Sequence, residues 1–368
     1  MRPAIDPAVE DILRAAVTHG LDGGRSWPTA PITIQDLIRV VDVAVDERLL
    51  GALAEAAVDG ALSLTPEQFD HLAARHTGSQ VHMLDLEHLL VATARLFDER
   101  GINFRVLKGF ALAHTVYADP SWRTAADVDL LIPSDQFDEA VSLALDEFDG
   151  TQLVPELRPG FDREFGKESM IRVGRLELDL HRTFVTGPCG LTIELDALFR
   201  EGTGLTIGDR TMFGLSPKHQ FLHACYNAAL GDYPARWCSV RDLLLFRQHL
   251  DVDLDDVVAT ASRWHGTAVV QRAGQLIEDI AGPDIEGGFD KLARLEVPRR
   301  DAWLLRSYLT SARSYSRPLA SLAVIRGVRP RLRYAQALVS PSSDYLRSRG
   351  WTERSHIKRA LRKLRSHD

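Results

Sequence analysis

The sequence predicts an α+β protein in which a few strands sit between two helical regions. Three observations predict it. Apolar residues recur at helical spacing through the first hundred positions, as in Leu86, Leu89, Leu90, Ala94 and Phe97. Near residue 102 the period shortens, and INFRVL, VDLLI and the alternating RLELDLH follow within about eighty residues. From Ser216 onward the spacing is helical again.

Each element has a local reason. Thr65, Pro66 and Gln68 form an N-cap, an N1 proline and a capping-box partner, followed by Phe69, Leu72 and Ala73 as an apolar face. Helical spacing continues over residues 81–99, and Gly101 stands where a C-cap glycine belongs. Residues 102–107 suit a short strand, and a short helix is expected from Gly109 to about Tyr117. The loop ADPSWRTAA leads into a strand over 127–132, and Ser134 is placed to cap a helix over 135–147. Residues 168–184 read as a hairpin turning near Gly174. In its second half Leu176, Leu178 and Leu180 share one face, and Glu177, Asp179 and His181 share the other, taken as the open side. Ser216 and Pro217 open the helical half, with helices expected at about 217–231, 236–250, 254–264, 266–281 and 300–313. The implied organisation is an N-terminal helical region (1–100), a core (101–200), a C-terminal helical domain (215–340) and a basic helical tail (341–368).

Composition bounds the chemistry. The 368 residues are 45% hydrophobic and 26% charged, which suits a chain with a sizeable core. A net charge of −7 argues against a protein coated in nucleic acid. The charge is uneven, since residues 326–365 carry twelve Arg or Lys against Asp344 and Glu353. That stretch suits contact with RNA, an acidic protein or a membrane surface, but a solvated helix packed by its apolar stripe (Ile357, Leu361 and Leu364) is the favoured reading. Cys189, Cys225 and Cys238 form no CxxC pair, so neither a zinc knuckle nor a disulfide framework is indicated. With no secretory h-region and no bilayer-length apolar run, the expected location is the cytoplasm.

The chemistry concentrates in 107–131, LKGFALAHTVYADPSWRTAADVDLL. Asp127 and Asp129 are two apart, so on a strand they share a face beside an apolar layer. Two such carboxylates repel, and a divalent oxygen-preferring cation such as magnesium relieves them. Asp179, on a separate strand, supplies a third acid, a set suited to two-metal phosphoryl chemistry. Lys108 and Gly109 lie between a strand and a short helix, where an anion is favoured, and Lys108 is the sole lysine before residue 167. Arg123 either reaches a phosphate or braces its loop by pairing with an acid. His181 either orients a ligand or is satisfied by a neighbour. Arg241 and Asp242 meet either the nucleotide or each other, with a structural ion pair favoured. P-loop, dinucleotide-binding, nucleophile-elbow and HExxH motifs are all absent.

LKGFALAHTVYADPSWRTAADVDLLI, RLELDLHRTF and the stretch from LSPKHQFLHACYNAAL to VRDLLLF together resemble a bacterial family of uncharacterised nucleotidyltransferases, within the polymerase-β-like superfamily. The resemblance spans about 85–340. It implies a small mixed β-sheet nucleotidyltransferase core with helical regions on either side. It also implies Asp127 and Asp129 as shared metal ligands and Asp179 as the third acid. Lys108 and Gly109 stand where better-known superfamily members have a Gly-Ser turn. Two of its expectations concern ligands: Mg2+ (or Mn2+) as cofactor, and an NTP, with ATP favoured, as co-substrate. The activity expected is transfer of a nucleoside monophosphate to an acceptor hydroxyl, with pyrophosphate release. The acceptor is a small molecule, peptide or protein, with RNA less favoured. The alternatives are a nucleotide-binding scaffold without activity, or a toxin-like transferase acting on tRNA or protein. Where the family often has a His, this chain has Tyr226 or Asn227.

Overall fold

The computed structural model describes residues 6–352 except 233, 250, 251, 283, 284 and 311–315. Three helices open the chain, α1 (Pro7–Val17), α2 (Ile34–Asp46) and α3 (Leu50–Val58). The two helical stretches expected after Thr65 run together as one 34-residue helix, α4 (Pro66–Glu99). Its capping box forms as the sequence indicates. The Gln68 amide N–H donates to the Thr65 hydroxyl at 3.4 Å, and the Gln68 side chain accepts from the Thr65 amide at 2.9 Å. Gly101, at φ +70°, lets the chain leave the helix.

The centre of the chain then lays down β1 (Arg105–Val106), α5 (Lys108–Thr115), β2 (Val128–Leu131), α6 (Phe137–Glu147), β3 (Thr151–Gln152), α7 (Phe161–Glu164), β4 (Glu168–Val173) and β5 (Leu176–His181). The strands form one sheet in the order β1-β2-β5-β4-β3. β2 and β5 run parallel and every other pair is antiparallel, so the sheet is mixed. The expected strand over 102–107 is cut to two residues, because the chain turns into α5 directly after Leu107. Ser134 does not cap α6. The cap position is Gln136, whose side chain instead ties the Gly101 carbonyl and the Asn103 amide to this corner. The hairpin turns at Gly174 (φ +59°), as expected.

After the sheet come α8 (Pro188–Leu191) and a second hairpin, β6 (Gly204–Ile207) with β7 (Arg210–Phe213). That hairpin was not anticipated, although Gly208-Asp209 between two alternating runs is a hairpin signal. The C-terminal half holds α9 (Pro217–Leu230), α10 (Trp237–His249), α11 (Leu254–Arg263), α12 (Thr267–Ala281), α13 (Phe289–Ala293), α14 (Arg299–Leu309), α15 (Ser316–Val324), α16 (Val328–Val339) and α17 (Ser343–Ser348). Four of these, α13 and α15–α17, go beyond the helices expected from spacing. The segment expected to be helical at 352–365 falls almost wholly outside the described residues.

Two large apolar clusters hold the described residues together, and a small third one, Phe165, Ile325 and Tyr334, seats α16. One sandwiches the sheet, with Leu86, Leu90 and Phe97 of α4, Phe110 of α5 and Phe137 of α6 against Val128, Leu130, Leu178 and Leu180. The other joins the two ends of the chain, packing Leu13, Leu37 and Leu53 with Phe221, Phe246, Trp264 and Ile277. Each such side chain stabilises the fold by about 1.5–3 kcal/mol when fully buried.

At the start of α9, Ser216 occupies the cap position as expected, yet its hydroxyl turns to His219 Nδ1 at 3.0 Å rather than to the backbone. His219 stacks on Trp264 and is 7% exposed. Burial, helped by Lys218, lowers its pKa to about 4. The unfolded chain, near 6.5, takes up a proton that the folded site refuses. Stability from this group is therefore complete above pH 6.5 and is lost as pH falls towards 4, by about 2–3 kcal/mol. Urea midpoints at pH 7 and pH 5 should converge in His219→Gln relative to wild type; an unchanged difference would refute the assignment.

Candidate functional site

β2 and β5 lie side by side in parallel register, with Asp129 opposite Asp179 and Leu131 opposite His181. This register follows from the leucines. Leu178 and Leu180 must face the sheet's apolar layer, which turns Asp179 and His181 to the other side. That side was expected to be open. Asp179 and His181 are instead 7% and 0% exposed, covered by the helical half.

Asp129, 2% exposed, is the hub. Its Oδ1 accepts from Lys108 Nζ at 2.7 Å and lies 2.6 Å from His181 Nε2. His181 Nε2 also lies 3.3 Å from Glu168 Oε2, and Glu168 pairs with Lys167 at 2.5 Å. Burial alone would raise the Asp129 carboxyl, but Lys108 and His181 hold it well below the usual range. Burial opposes the Lys108 charge too, and Asp129 and Asp127 outweigh it, so its pKa is raised. Burial and Lys108 keep His181 below its ordinary value. Burial, then the charges of Asp129 and Glu168, push Asp179 up to about 8.

Asp127 sits at the mouth of the site, half-buried, one residue before β2. The negative charge of Asp129 raises its carboxyl, and burial adds to the effect. The tightest cluster of ion-binding atoms among the described residues is Asp129, Asp179 and His181, all within 4.8 Å of one another. The strand pairing thus brings Asp129 and Asp179 together, while Asp127 stands outside that cluster and His181 lies inside it. Asp179 Oδ1 is buried without a hydrogen-bond partner. Two carboxylates and an imidazole around such an orphaned oxygen fit a divalent cation.

Lys108 opens α5 with φ +38°, a left-handed conformation unusual for lysine. Gly109 follows because a side chain would collide: a Cβ there would lie 2.6 Å from Ala125 Cβ. The glycine lets the start of α5 approach the loop that delivers Asp127. Arg123 takes the bracing role. Its Nε and Nη2 grip Asp242 at 2.8 and 2.9 Å, its Nη1 reaches the Thr124 carbonyl, and it is 3% exposed. Tyr117 donates to the same Asp242 at 2.7 Å. Arg241 and Asp242 do not pair with each other as expected. Arg241 binds Glu55 at 2.6 Å and the carbonyls of Ala16, Val17 and His19.

Sequence reasoning missed two neighbours of this cluster. Glu168 faces His181 across the hairpin, and counting back equally from the turn at Gly174 would have paired them. His223 on α9, 4% exposed, packs against Phe184 with ring centroids 4.5 Å apart and planes tilted by 31°. Burial, together with the charges of Lys108 and His181, depresses its pKa well below normal. Beside Lys108 a cleft of about 440 Å³ opens, lined by Glu168, Phe184, Asn227, Tyr308 and Tyr345.

The mixed sheet thus sets Asp129 and Asp179 on paired parallel strands, with Lys108 beside them at a strand-to-helix turn. The chain belongs to the uncharacterised nucleotidyltransferase family, whose profile matches residues 35–282. The match begins well upstream of residue 85 and so takes in α2 and α3. No curated protein matches the chain. Among solved structures, ANT(2")-Ia in complex with adenylyl-2"-tobramycin is similar at 15% identity and TM-score 0.35, over 50% of this chain and 98% of that one. An antigenic nucleotidyltransferase-like protein from Paracoccidioides brasiliensis is similar at 15% identity and TM-score 0.36, over 58% and 93%.

Proposed function

We propose that the protein is a magnesium-dependent nucleotidyltransferase, with manganese as an alternative ion. In this reading it transfers a nucleoside monophosphate from an NTP, ATP being favoured, to an acceptor hydroxyl with release of pyrophosphate. The observation that carries it is the Asp129–Asp179 register on β2 and β5, with Asp127 at the strand's mouth. Asp127, Asp129 and Asp179 would hold the metal. Bound magnesium would neutralise the triphosphate and acidify the attacking hydroxyl. Asp179, in the carboxylate form that a bound cation would favour, would take that hydroxyl's proton. Lys108 and the amides after Gly109 steady the triphosphate. His181 fixes the Asp129 carboxylate, and Arg123 acts at a distance by holding the Asp127 loop to Asp242.

Residues 101–200 make the catalytic core in this reading, flanked by the helical region 1–100, the helical domain 215–340 and the basic tail 341–368. A cleft of about 440 Å³ is of a size for a small molecule or one peptide side chain, which supports such an acceptor over RNA. No described helix is long and apolar enough to cross a membrane, and we place the reaction in the cytoplasm.

Thermal melting with each of the four NTPs, with and without magnesium, tests the proposal. One NTP, in the presence of magnesium, should stabilise wild type by about 3 kcal/mol at a hundredfold excess over Kd. The Asp127→Asn, Asp129→Asn double variant should show no such gain. No shift with any NTP and either ion would overturn the reading. The Lys108–Asp129 ion pair supports one rival, a nucleotide-binding protein without transfer, which would melt later with an NTP yet never release pyrophosphate.

A further inference from the structure

The outer face of α16 carries a surface that the transfer chemistry does not use. Tyr334 and Ala337 bury one side of this helix. On the opposite side Val328, Leu332 and Val339 are 71%, 64% and 71% exposed. With Ala335 between them they fall at i, i+4, i+7 and i+11, a single stripe along the helix. The helix is therefore apolar on two sides, and only one of them meets the protein. Arg329 and Arg331, both exposed, stand roughly 90° and 70° to either side of the outer stripe. Arg326 precedes the helix, and Arg333 lies further round, paired with Glu164. From 326 to 343 the sequence has no Asp or Glu, in a chain of net charge −7.

We propose that α16 docks the protein on an anionic lipid surface. The helix lies in the headgroup plane, with Val328, Leu332 and Val339 inserted and Arg329 and Arg331 on lipid phosphates. An apolar stripe flanked on both sides by arginines is the pattern that combines shallow burial with attraction to anionic lipid. A second copy is a poor occupant, because a symmetric pairing along the stripe would press the arginines together. RNA has use for the arginines but none for the exposed aliphatic side chains. The acidic remainder of the molecule is repelled by the same lipid, which orients the docked protein. Because α17 begins four residues after α16 ends and supplies Tyr345 to the cleft, docking holds one rim of the cleft near the headgroups.

The test is co-sedimentation of the full chain with phosphatidylcholine vesicles, with and without phosphatidylglycerol. Binding is expected only with phosphatidylglycerol, weakening between about 0.1 and 0.5 M salt. Val328→Ser with Leu332→Ser, and separately Arg329→Glu with Arg331→Glu, should each lower the bound fraction about tenfold. The melting temperature should hold for the Val328 and Leu332 pair, whose side chains are exposed, and should fall only slightly for the arginine pair, since Arg331 Nε also donates to the Ile325 carbonyl at 2.8 Å. Equal binding by both pairs of variants would overturn the proposal. So would RNA binding that needs the arginines but not Leu332, or a lipid-free dimer that Leu332→Ser abolishes.

Discussion

Asp129→Asn is expected to reduce nucleotidyl transfer by about a thousandfold, because several kcal/mol of transition-state stabilisation pass through this carboxylate in the proposed reaction. The structure adds a second expectation. Asp129 is 2% exposed and anchors both Lys108 and His181, so the asparagine also leaves a buried ammonium without its nearest counter-charge. A stability loss of about 2 kcal/mol should accompany the lost activity. Asp127→Asn separates the two effects. Its side chain is half-buried at the mouth of the site, so transfer should fall comparably while stability changes by less than about 1 kcal/mol. Pyrophosphate release and urea unfolding measured on both variants decide the matter. Transfer retained in a folded Asp129→Asn protein would remove the metal-site reading altogether.

Arg123→Leu should be the most damaging substitution away from the acids. It deletes one side of a bidentate pair in which both partners are nearly sealed from solvent, and strands the Asp242 carboxylate, 1% exposed, with only the Tyr117 hydroxyl. Breaking one partner of such a buried pair costs about 3–5 kcal/mol. The melting temperature should drop by several degrees, and the double variant Arg123→Leu, Asp242→Leu should recover part of the loss. The opposite pattern, a variant that melts normally but no longer binds an NTP, would mean that Arg123 meets phosphate directly.

The parts of the site that could be read in the sequence are those fixed by short-range periodicity. Alternation in RLELDLH dictates which face Asp179 and His181 share, and the Asp127-x-Asp129 spacing sets both acids beside β2. The Thr65–Gln68 box marks its helix start for the same local reason. What escaped is long-range. Nothing near Arg123 announces that its partner is Asp242, 119 residues away, and nothing near Arg241 announces Glu55, 186 residues away. Equally, strand alternation shows which face is polar but not whether it meets water. The helical half closes over Asp179 and His181 and turns an expected surface into a buried cluster. α16 is hard to see in the sequence because its apolar residues point both inward and outward, so no one face stands out as the buried one.

The core that α1–α3 share with helices of the C-terminal half has a consequence for how the chain is made. Arg14 of α1 donates to the Asp279 carbonyl, 265 residues downstream, and Leu13 and Leu37 pack with Trp264 and Ile277. During synthesis the opening helices therefore emerge long before their partners exist. They can pack on one another, but the faces they turn to the C-terminal half wait until translation has passed α12. Folding of that half is post-translational in practice and slow by topology, and the nascent chain offers an aggregation-prone interval in which chaperones should find it.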